Sequence, residues 1–297
     1  FSGELHLIKS TVIGKSRKRK NVFFLLLVLA GLLQHDLSAQ SYRLQRPRIR
    51  NFSSSVYGAD KQNWCISQDR KGIMFFANNK GLIEFNGSVW KTYPFPTGTI
   101  VRSVLCDSTG RIYVGSFEDF GYWEKSNSGG MKYISLVPQL SNFQFHNEEV
   151  WNIVSHGGIV YFQSFSVIFV WDGNSVEPLF PPGFITCFTE INSRLLLVIA
   201  DHGLFELVGR KIIPKDTSNF FRDTEIRVLL PYDRNNILVA TANKGIYLYD
   251  GSGSLLPWFQ KQWPLISNAV INRGTVTRDS VYILGTILEG AFAFTRE

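Results

Sequence analysis

Two pairs of adjacent carboxylates are the side chains in this sequence best suited to acid–base chemistry. Glu118 precedes Asp119, and Glu148 precedes Glu149. Cleavage of a glycosidic bond needs two carboxyl groups about 5–9 Å apart, one as proton donor and one as base or nucleophile. Loops from several structural units would have to bring such acids together at one surface. A carbohydrate-active enzyme, hydrolase or lyase, is therefore one alternative for the function.

The histidines offer little further chemistry. Of those beyond residue 39, His146, His156 and His202, only His202 follows an acid directly, Asp201. Adjacent side chains on a turn usually point apart, so we interpret this pair as a solvated turn. The sequence contains no Gly-x-Ser-x-Gly elbow, phosphate-binding loop or His-Glu-x-x-His motif. We predict no catalytic residue and no cofactor.

The three cysteines, Cys65, Cys106 and Cys187, are an odd number, and each falls in an apolar run. They are interpreted as small buried hydrophobic residues rather than a disulfide framework. Because no Cys-x-x-Cys or paired Cys/His spacing occurs, we predict no metal site.

A unit of about forty residues recurs along the chain and would position all of these side chains. Residues 62–96 contain four short runs rich in β-branched and aromatic residues, separated by three turns. Similar units begin near Val101, Val150, Ile185, Ile226 and Val270. The glycine that opens the third run recurs at Gly81, Gly121, Gly203, Gly245 and Gly290, and the third unit has Ser164, Phe165 and Ser166 instead.

A period near forty residues with four strands per unit predicts a β-propeller. A β-sandwich, the competing all-β fold, does not explain the self-similarity. We expect an all-β propeller of four-stranded blades over residues 57–297, incomplete at its C-terminal end. About six blades are encoded, and the ring is expected to be seven-bladed. Since the chain begins at Phe1 and its last unit stops after a third strand, we expect a piece of a longer protein.

The first turn of a unit places an acid three residues before a glycine, as in Asp69 to Gly72 and Asp107 to Gly110. Sialidase propellers have a Ser-x-Asp-x-Gly-x-Thr-Trp sequence at this turn. Its absence here weakens the enzyme alternative. The acid is expected instead to accept backbone N–H bonds within the turn.

Residues 1–39 are predicted to be an N-terminal extension and signal peptide. Five basic residues within 15–20 precede an apolar run over residues 22–33, and Ala39 marks the cleavage site. Twelve residues of helix cover about 18 Å, short of the roughly 30 Å core of a bilayer. We therefore expect export and a periplasmic location.

Charge is concentrated near the N-terminus. Ten Lys or Arg side chains precede residue 51 against two acids, and the remainder carries 21 against 22. Because the repeats are nearly neutral, we predict no nucleic-acid partner. Residues 40–56 form a polar arm, interpreted as a flexible lead-in. Alternatively, Arg46, Arg48 and Arg50 pack on a neighbouring module or on lipid headgroups.

The loops between second and third strands share one face of a propeller, and we expect a ligand there. These loops mix amides, charges and two aromatics expected to be exposed, Phe117 and Phe120. Aromatic faces and planar hydrogen-bonding groups suit sugar rings. The candidate ligand-binding residues are Asn78, Asn79, Lys80, Phe117, Glu118, Asp119, Phe120, His202, Asn243 and Lys244.

The succession of units resembles the two-component-regulator propeller repeats of Bacteroidetes-type sensor proteins. The phrases that carry the resemblance include NWCISQDRKGIMFFANNKGLIEFNGSVWKTYPFP, IVRSVLCDSTGRIYVGSFEDFGYW and LPYDRNNILVATANKGIYLYDG. In that family such propellers are periplasmic ligand-sensing regions. A triple-tyrosine β-sandwich, a membrane span, and a histidine kinase or LuxR-type helix-turn-helix output follow.

The resemblance implies an extracytoplasmic sensor module of a transcription-regulating receptor. Its expected ligand is a small molecule or oligosaccharide derived from a glycan. Its implied partners are the downstream β-sandwich of the same polypeptide and, in the intact inner-membrane receptor, a second copy in a homodimer. A protein-binding scaffold is the remaining alternative.

Overall fold

The structure is a computed structural model that describes residues 50–126, 129–258 and 263–296. The predicted signal peptide and residues 40–49 of the polar arm lie outside the described residues. A compact unit begins at Phe52.

Twenty-three strands and four short helices make up the described chain. The strands are β1 Asn63–Gln68, β2 Met74–Asn78, β3 Gly81–Phe85, β4 Trp90–Tyr93, β5 Val101–Cys106, β6 Ile112–Ser116, β7 Phe120–Lys125, β8 Met131–Ser135, β9 Asn152–His156, β10 Ile159–Gln163, β11 Ile168–Trp171 and β12 Val176–Leu179. They continue as β13 Ile185–Ile191, β14 Arg194–Ile199, β15 Gly203–Val208, β16 Lys211–Asp216, β17 Ile226–Pro231, β18 Ile237–Thr241, β19 Ile246–Tyr249, β20 Leu255–Trp258, β21 Ile271–Val276, β22 Tyr282–Thr286 and β23 Ala291–Phe294. The α-helices are α1 Ser54–Tyr57 and α2 Asn219–Asp223, and the 3-10 helices are Val137–Gln139 and Trp263–Leu265.

The strands form six antiparallel meanders, in each of which chain neighbours pair side by side. Within the described residues five sheets have four strands and the sixth, β21 to β23, has three. The first strand of each sheet contacts the first strand of the next, from β1 to β5 and onward to β17 and β21. Successive sheets thus meet at their inner strands, around a central channel. The predicted all-β propeller is confirmed, whereas the seven-bladed ring stays a prediction.

Hydrophobic layers between successive blades form the core. Between the third and fourth blades, Tyr161 and Ile168 pack with Leu197 and Phe205 in one cluster of buried side chains. The second strand of the fourth blade, β14, is buried from its second residue to its last. Because both of its faces meet apolar neighbours, this strand is a continuous hydrophobic run. Each such side chain stabilises the fold by about 1.5–3 kcal/mol.

Three of the recurring glycines, Gly81, Gly121 and Gly203, are explained by a close approach of the fourth strand, whereas an added Cβ at Gly245 would meet the Tyr247 ring and one at Gly290 no atom within 4 Å. Gly81 has φ +121°, and a Cβ there would lie 2.3 Å from the carbonyl oxygen of Tyr93. Gly203 repeats this geometry, with φ +112° and a Cβ 2.4 Å from the Asp216 oxygen. A side chain at either position would meet both an unfavourable backbone region and a clash.

The acids of the first turns have the role expected from the sequence. Asp69 Oδ1 accepts the N–H groups of Lys71 at 2.8 Å and Ile73 at 2.9 Å. Asp107 Oδ1 accepts those of Thr109 and Arg111 at 2.8 and 3.0 Å. The carboxylates therefore fix the turns that follow β1 and β5.

The end of the polar arm packs on the first blade. Phe52 meets the Phe85 and Trp90 rings edge-on, with centroids 5.3 and 5.2 Å away. Tyr57, in α1, lies 5.5 Å from the Trp90 ring. Residues 52–57 thus cover part of the aromatic face that this blade turns away from the second blade. On the same face, Ile66 remains 55% exposed.

Candidate functional site

A β-bulge occurs at the same place in five of the six first strands. The pairing with the second strand skips one residue between Asn63 and Cys65, and the skip recurs in β5, β13, β17 and β21. The skipped residues are Trp64, Arg102, Thr186, Arg227 and Asn272. A bulged residue is left out of the ladder and its side chain is re-aimed.

The third blade reaches the same arrangement by another route. Its β9 begins two residues later, at Asn152, and Trp151 stands directly before it. The Trp151 N–H donates to the Gln163 carbonyl at 2.9 Å, which fixes this residue beside the second strand. Trp151 therefore takes the position that the bulged residue holds in the other blades.

These six residues line one cavity of about 340 Å³ at the mouth of the channel: Trp64, Arg102, Trp151, Thr186, Arg227 and Asn272. Arg273, Gln163 and Phe165 complete the part of the lining that bears on ligand chemistry. Every blade contributes to this site. We name it the channel-mouth site.

Arg102 is held rigidly within the channel-mouth site. Its Nε and Nη2 donate to Glu149 Oε2 at 2.5 Å and Oε1 at 3.0 Å. Its guanidinium carbon lies 4.1 Å from the Trp64 ring centroid and 4.8 Å from that of Trp151. Trp64 Nε1 in turn donates to Asn79 Oδ1 at 2.7 Å. Bidentate pairing and stacking together order the side chains of three blades.

Arg227 and Arg273 are less fully satisfied. Arg227 forms an ion pair with Glu225, yet its Nε is buried and has no hydrogen-bond partner in the described part of the chain. Arg273 is exposed, and among residues 50–126, 129–258 and 263–296 no ion pair involves it. The site therefore keeps donor capacity and positive charge on the side of the fifth and sixth blades.

A second cavity of about 440 Å³ adjoins the channel-mouth site. It shares the side chains of Trp151 and Phe165 with the first, and Phe117 and Phe184 line it as well. Phe165 and Phe184 are 51% and 65% exposed. The lining of this cavity also includes Glu148 and Glu149, so it combines aromatic rings with acidic groups.

The paired carboxylates of the sequence are engaged in holding loops together. Buried Glu148 accepts hydrogen bonds from the His146 N–H and from Ser166 Oγ. Glu149 is paired with Arg102. Glu118 accepts the Asn147 N–H at 3.0 Å.

Asp119 is also structural. It is buried and accepts Ser135 Oγ at 2.7 Å and Tyr133 Oη at 3.1 Å. Burial raises the pKa of Asp119 above its ordinary value, and those two hydrogen bonds oppose the rise. Tyr133, desolvated and facing this carboxylate, has its pKa raised as well.

The predicted ligand residues of the first blade have different positions. Asn78 is fully buried, and its Nδ2 donates to the carbonyls of Asp60 and Gln62 at 2.8 Å each. Asn79 contacts the channel-mouth site through Trp64, and Lys80 is exposed. Ligand binding by Asn79 and Lys80 stays a prediction, whereas the Asn78 side chain is occupied in fixing the chain before β1.

In the second blade, Phe117 lines the second cavity, but the expectation of an exposed Phe120 is wrong. Phe120 is 0% exposed, and its ring stacks on Phe169 with centroids 4.6 Å apart. The residue begins β7 and points into the layer between two blades. From the sequence alone, an aromatic residue at the end of a loop cannot be distinguished from the first core residue of the strand that follows.

The remaining predicted residues, His202, Asn243 and Lys244, are exposed and line neither cavity. The His202 Nδ1 lies 2.7 Å from the Ala200 carbonyl oxygen within its own turn. Lys244 Nζ donates to the Asp223 carbonyl at 3.1 Å. Their part in ligand binding stays a prediction.

Sequence reasoning missed the six side chains of the channel-mouth site. Their signal was present: a large or polar residue follows the first β-branched residue of a unit, as in Val101 to Arg102 and Ile226 to Arg227. Within an apolar strand such a residue breaks the alternation. The bulge that accommodates it leaves no other mark on the sequence.

The described residues hold no cluster of three His, Cys, Asp or Glu side chains suited to a metal ion. The cysteines are unpaired, and burial raises the pKa of Cys106 and Cys187 to about 11. A search of the described helices for one long and apolar enough to span a bilayer gave no candidate.

Comparison with solved structures places the chain among known folds. The extracellular domain of a protein assigned as a hybrid two-component system of B. thetaiotaomicron superposes with a TM-score of 0.59 at 14% identity, over 79% of this chain and 32% of that one. Virginiamycin B lyase from Staphylococcus aureus gives a TM-score of 0.59 at 11% identity, over 80% of this chain and 86% of that one. A chain of the mitotic checkpoint complex gives 0.61 at 12% identity, over 87% and 85%. The chain has the β-propeller fold.

The three structures are an extracellular domain of a two-component system, an enzyme and a chain of a protein assembly, and at 11–14% identity they establish the fold alone. The chain spans about a third of the length of the two-component domain. No family model matches the sequence, and no curated protein matches it.

Proposed function

We propose that this chain is the ligand-sensing propeller of an extracytoplasmic receptor that regulates transcription, and that a glycan-derived ligand binds its channel-mouth site. The observation that carries the proposal is the convergence of six equivalent side chains, one from each blade, on one cavity. A bulged residue is dispensable for the ladder of the sheet. Its side chain can therefore serve a ligand without removing a hydrogen bond from the ladder.

Ligand capture at this site has a direct structural consequence. Because all six blades line the cavity, a bound ligand contacts several of them and favours one arrangement of the blades over others. In the proposed receptor, a β-sandwich downstream in the same polypeptide receives this change. Export by the predicted signal peptide, a periplasmic location, inner-membrane anchoring and a homodimer belong to the same proposal. The likeness to a two-component extracellular domain supports it.

Binding is favoured over catalysis and over a scaffold. Glu148 and Glu149 are engaged in hydrogen bonds and an ion pair, which leaves no convergent pair of unengaged carboxylates at the mouth. A concave site with aromatic rings and a few polar groups is typical of small-ligand recognition. The lyase likeness is one of fold.

The test is a thermal-shift panel on the 297-residue chain with oligosaccharides of plant, animal and microbial origin. At least one class should raise the Tm, because a ligand that binds the native state stabilises it by mass action. Trp64→Ala should abolish that shift. Val208→Ala is the control, since Val208 is an exposed apolar residue at the opposite end of its blade.

Three results would contradict the proposal. One is a panel in which no saccharide changes the Tm. A second is a shift that survives Trp64→Ala unchanged. The third is conversion of a saccharide to shorter products that stops with Glu148→Gln, which would establish the enzyme alternative.

A further inference from the structure

We propose that the saccharide at the channel-mouth site is anionic: a carboxylated or sulfated oligosaccharide whose acidic group is bound by Arg227 and Arg273. This inference rests on the proposed function and specifies the chemical class of its ligand.

The charge of the lining carries the inference. Arg102, Arg227 and Arg273 line the cavity, and the lining includes no acidic side chain. Just outside it, Glu149 pairs with Arg102 and Glu225 with Arg227. Two carboxylates therefore pair with two of the three guanidinium groups. Since the described residues supply no ion pair for Arg273, its charge is uncompensated at the mouth.

The second observation is the unsatisfied donor on Arg227. Its Nε is buried and lacks a hydrogen-bond partner among the described residues. A buried donor without an acceptor is unfavourable, and native structures rarely leave one so. A carboxylate or sulfate oxygen bound by this guanidinium would satisfy it after a shift of the side chain, because the Nε atom itself has almost no accessible surface. Arginine is suited to this role because its planar group binds two oxygens of one anion.

Arg102 is not assigned this role. Its guanidinium already binds Glu149 through two hydrogen bonds and lies against the rings of Trp64 and Trp151. It orders the aromatic side of the site. The cavity thus has an ordered aromatic side, on the first three blades, and a cationic side on the last two.

This polarity matches a sugar acid. Trp64 and Phe165 keep 40% and 51% of their surfaces exposed, which suits the C–H face of a pyranose ring. Asn272 and Thr186 are exposed bulge residues whose polar groups can meet hydroxyls. An inorganic anion alone would leave the aromatic side unused, and a neutral sugar would leave Arg227 Nε and Arg273 unpaired.

The dimensions favour an oligosaccharide over a single ring. The cavity of about 340 Å³ lies at the small end of the range of roughly 300–1,000 Å³ for ligand sites. We infer that it holds the acidic terminal residue. The rest of the chain would run past Phe165 into the adjoining cavity of about 440 Å³.

The experiment is calorimetric titration of the 297-residue chain with a galacturonate tetramer, its methyl ester and a sulfated galactose tetramer. The ester keeps the rings and removes the charge. We expect at least one anionic tetramer to bind at least about tenfold more tightly than the ester. Arg273→Gln should weaken that binding about tenfold or more, as expected for a hydrogen bond between charged groups. Which tetramer binds distinguishes carboxylate from sulfate.

Arg278→Gln is the matched control. Arg278 is exposed in the same blade, in the turn at the opposite end of β21, and its replacement should leave the affinity unchanged. Circular dichroism of both variants separates lost binding from lost folding. Arg227→Gln is the second variant, and it should reproduce the loss seen with Arg273→Gln.

The outcomes separate this inference from the proposed function. Equal affinity for galacturonate and its ester, abolished by Trp64→Ala, would overturn the anionic ligand and leave glycan sensing intact. Anion binding that Arg227→Gln and Arg273→Gln do not change would also overturn the inference. If the two anionic tetramers and the ester all fail to bind, the inference is overturned, and the wider panel above then decides the proposed function.

Discussion

Arg102 and Glu149 join the inner strand of the second blade to the segment that enters the third. The two hydrogen bonds between them, 2.5 and 3.0 Å long, hold a guanidinium that also lies 4.1 Å from the Trp64 ring of the first blade. One ion pair therefore fixes the relative positions of three blades at the channel mouth. It links the stability of the fold to the shape of the proposed site.

Replacing the acid of this pair should therefore lower stability and disturb the site. We expect Glu149→Gln to lower the free energy of unfolding by about 1–3 kcal/mol, because a partly buried guanidinium loses its charged acceptor. The tryptophan emission should shift as well, since Trp64 and Trp151 contact Arg102. Urea denaturation monitored by fluorescence measures both effects.

The control for Glu149→Gln is Glu124→Gln. Glu124 lies 3.6 Å from Arg111 in a pair whose side chains are 37% and 39% exposed. Such a pair contributes about 0–1 kcal/mol. Equal losses in the two variants would contradict the structural role given to Glu149.

A second prediction concerns the recurring glycine. Gly81→Ala should lower the free energy of unfolding by at least about 2 kcal/mol, because φ of +121° is unfavourable for alanine and its Cβ would clash with the Tyr93 oxygen. Gly87→Ala separates the two causes. Gly87 has φ +95° but no atom within 4 Å of the added Cβ, so its loss should be smaller. Denaturation curves that coincide would show that the clash is relieved by movement of β4.

The third prediction is a pH dependence centred on Glu206. Its carboxylate accepts Arg194 Nη2 and lies beside Lys215 Nζ, each at 2.8 Å. The hydrogen bond from Arg194, with a further contribution from Lys215, lowers the pKa of Glu206 from 4.5 to about 2. The folded state thus holds its proton less tightly than the unfolded state.

The stability that this carboxylate contributes is accordingly complete above about pH 4.5 and is lost as the pH falls towards 2. Glu206→Gln should be less stable than the parent at pH 7, and the difference should shrink across that interval. Denaturation at a series of pH values measures it. Glu177→Gln removes a far more exposed carboxylate, so it should show a smaller difference. A Glu206→Gln difference that is constant with pH would refute the prediction.

The fourth prediction contrasts the stability effect of a site residue with that of a core residue in the same blade. Asn272→Ala should change stability by no more than about 0.5 kcal/mol, because Asn272 is an exposed bulge residue. Leu284→Ala, in the second strand of the same blade and fully buried, should cost about 2–5 kcal/mol. Thermal or chemical denaturation of both variants tests the contrast. A large loss with Asn272→Ala would mean that the bulge position is part of the fold.

Much of the fold could be predicted from the sequence because it repeats. Turn acids such as Asp69 and glycines such as Gly81 recur for local reasons, one to satisfy backbone donors and the other to admit a neighbouring strand. Features with such local causes can be recognised in a single sequence. The blade plan followed from them, together with the period of about forty residues.

The site could not be predicted in the same way, because it depends on contacts between distant units. Arg102 meets Trp64 and Trp151 only after three blades have packed. Phe120 was misjudged for a related reason, since its burial depends on Phe169 in the next blade. Polar loop residues favour a predicted ligand site at the tips of the turns, whereas the cavity lies at the start of the inner strands.

The bulge at the start of five of the six inner strands makes recognition and architecture separable in evolution wherever the bulged residue does not bridge blades. Each such residue stands outside the ladder, so mutation can replace it without retuning the neighbouring sheets. Thr186, Arg227 and Asn272, varied independently, would give one scaffold a large repertoire of specificities, whereas Trp64, Arg102 and Trp151 contact one another and would have to change together. Among chains descended from a common ancestor, sequence variation should accordingly concentrate at the positions of Thr186, Arg227 and Asn272, while turn acids such as Asp69 and glycines such as Gly81 persist.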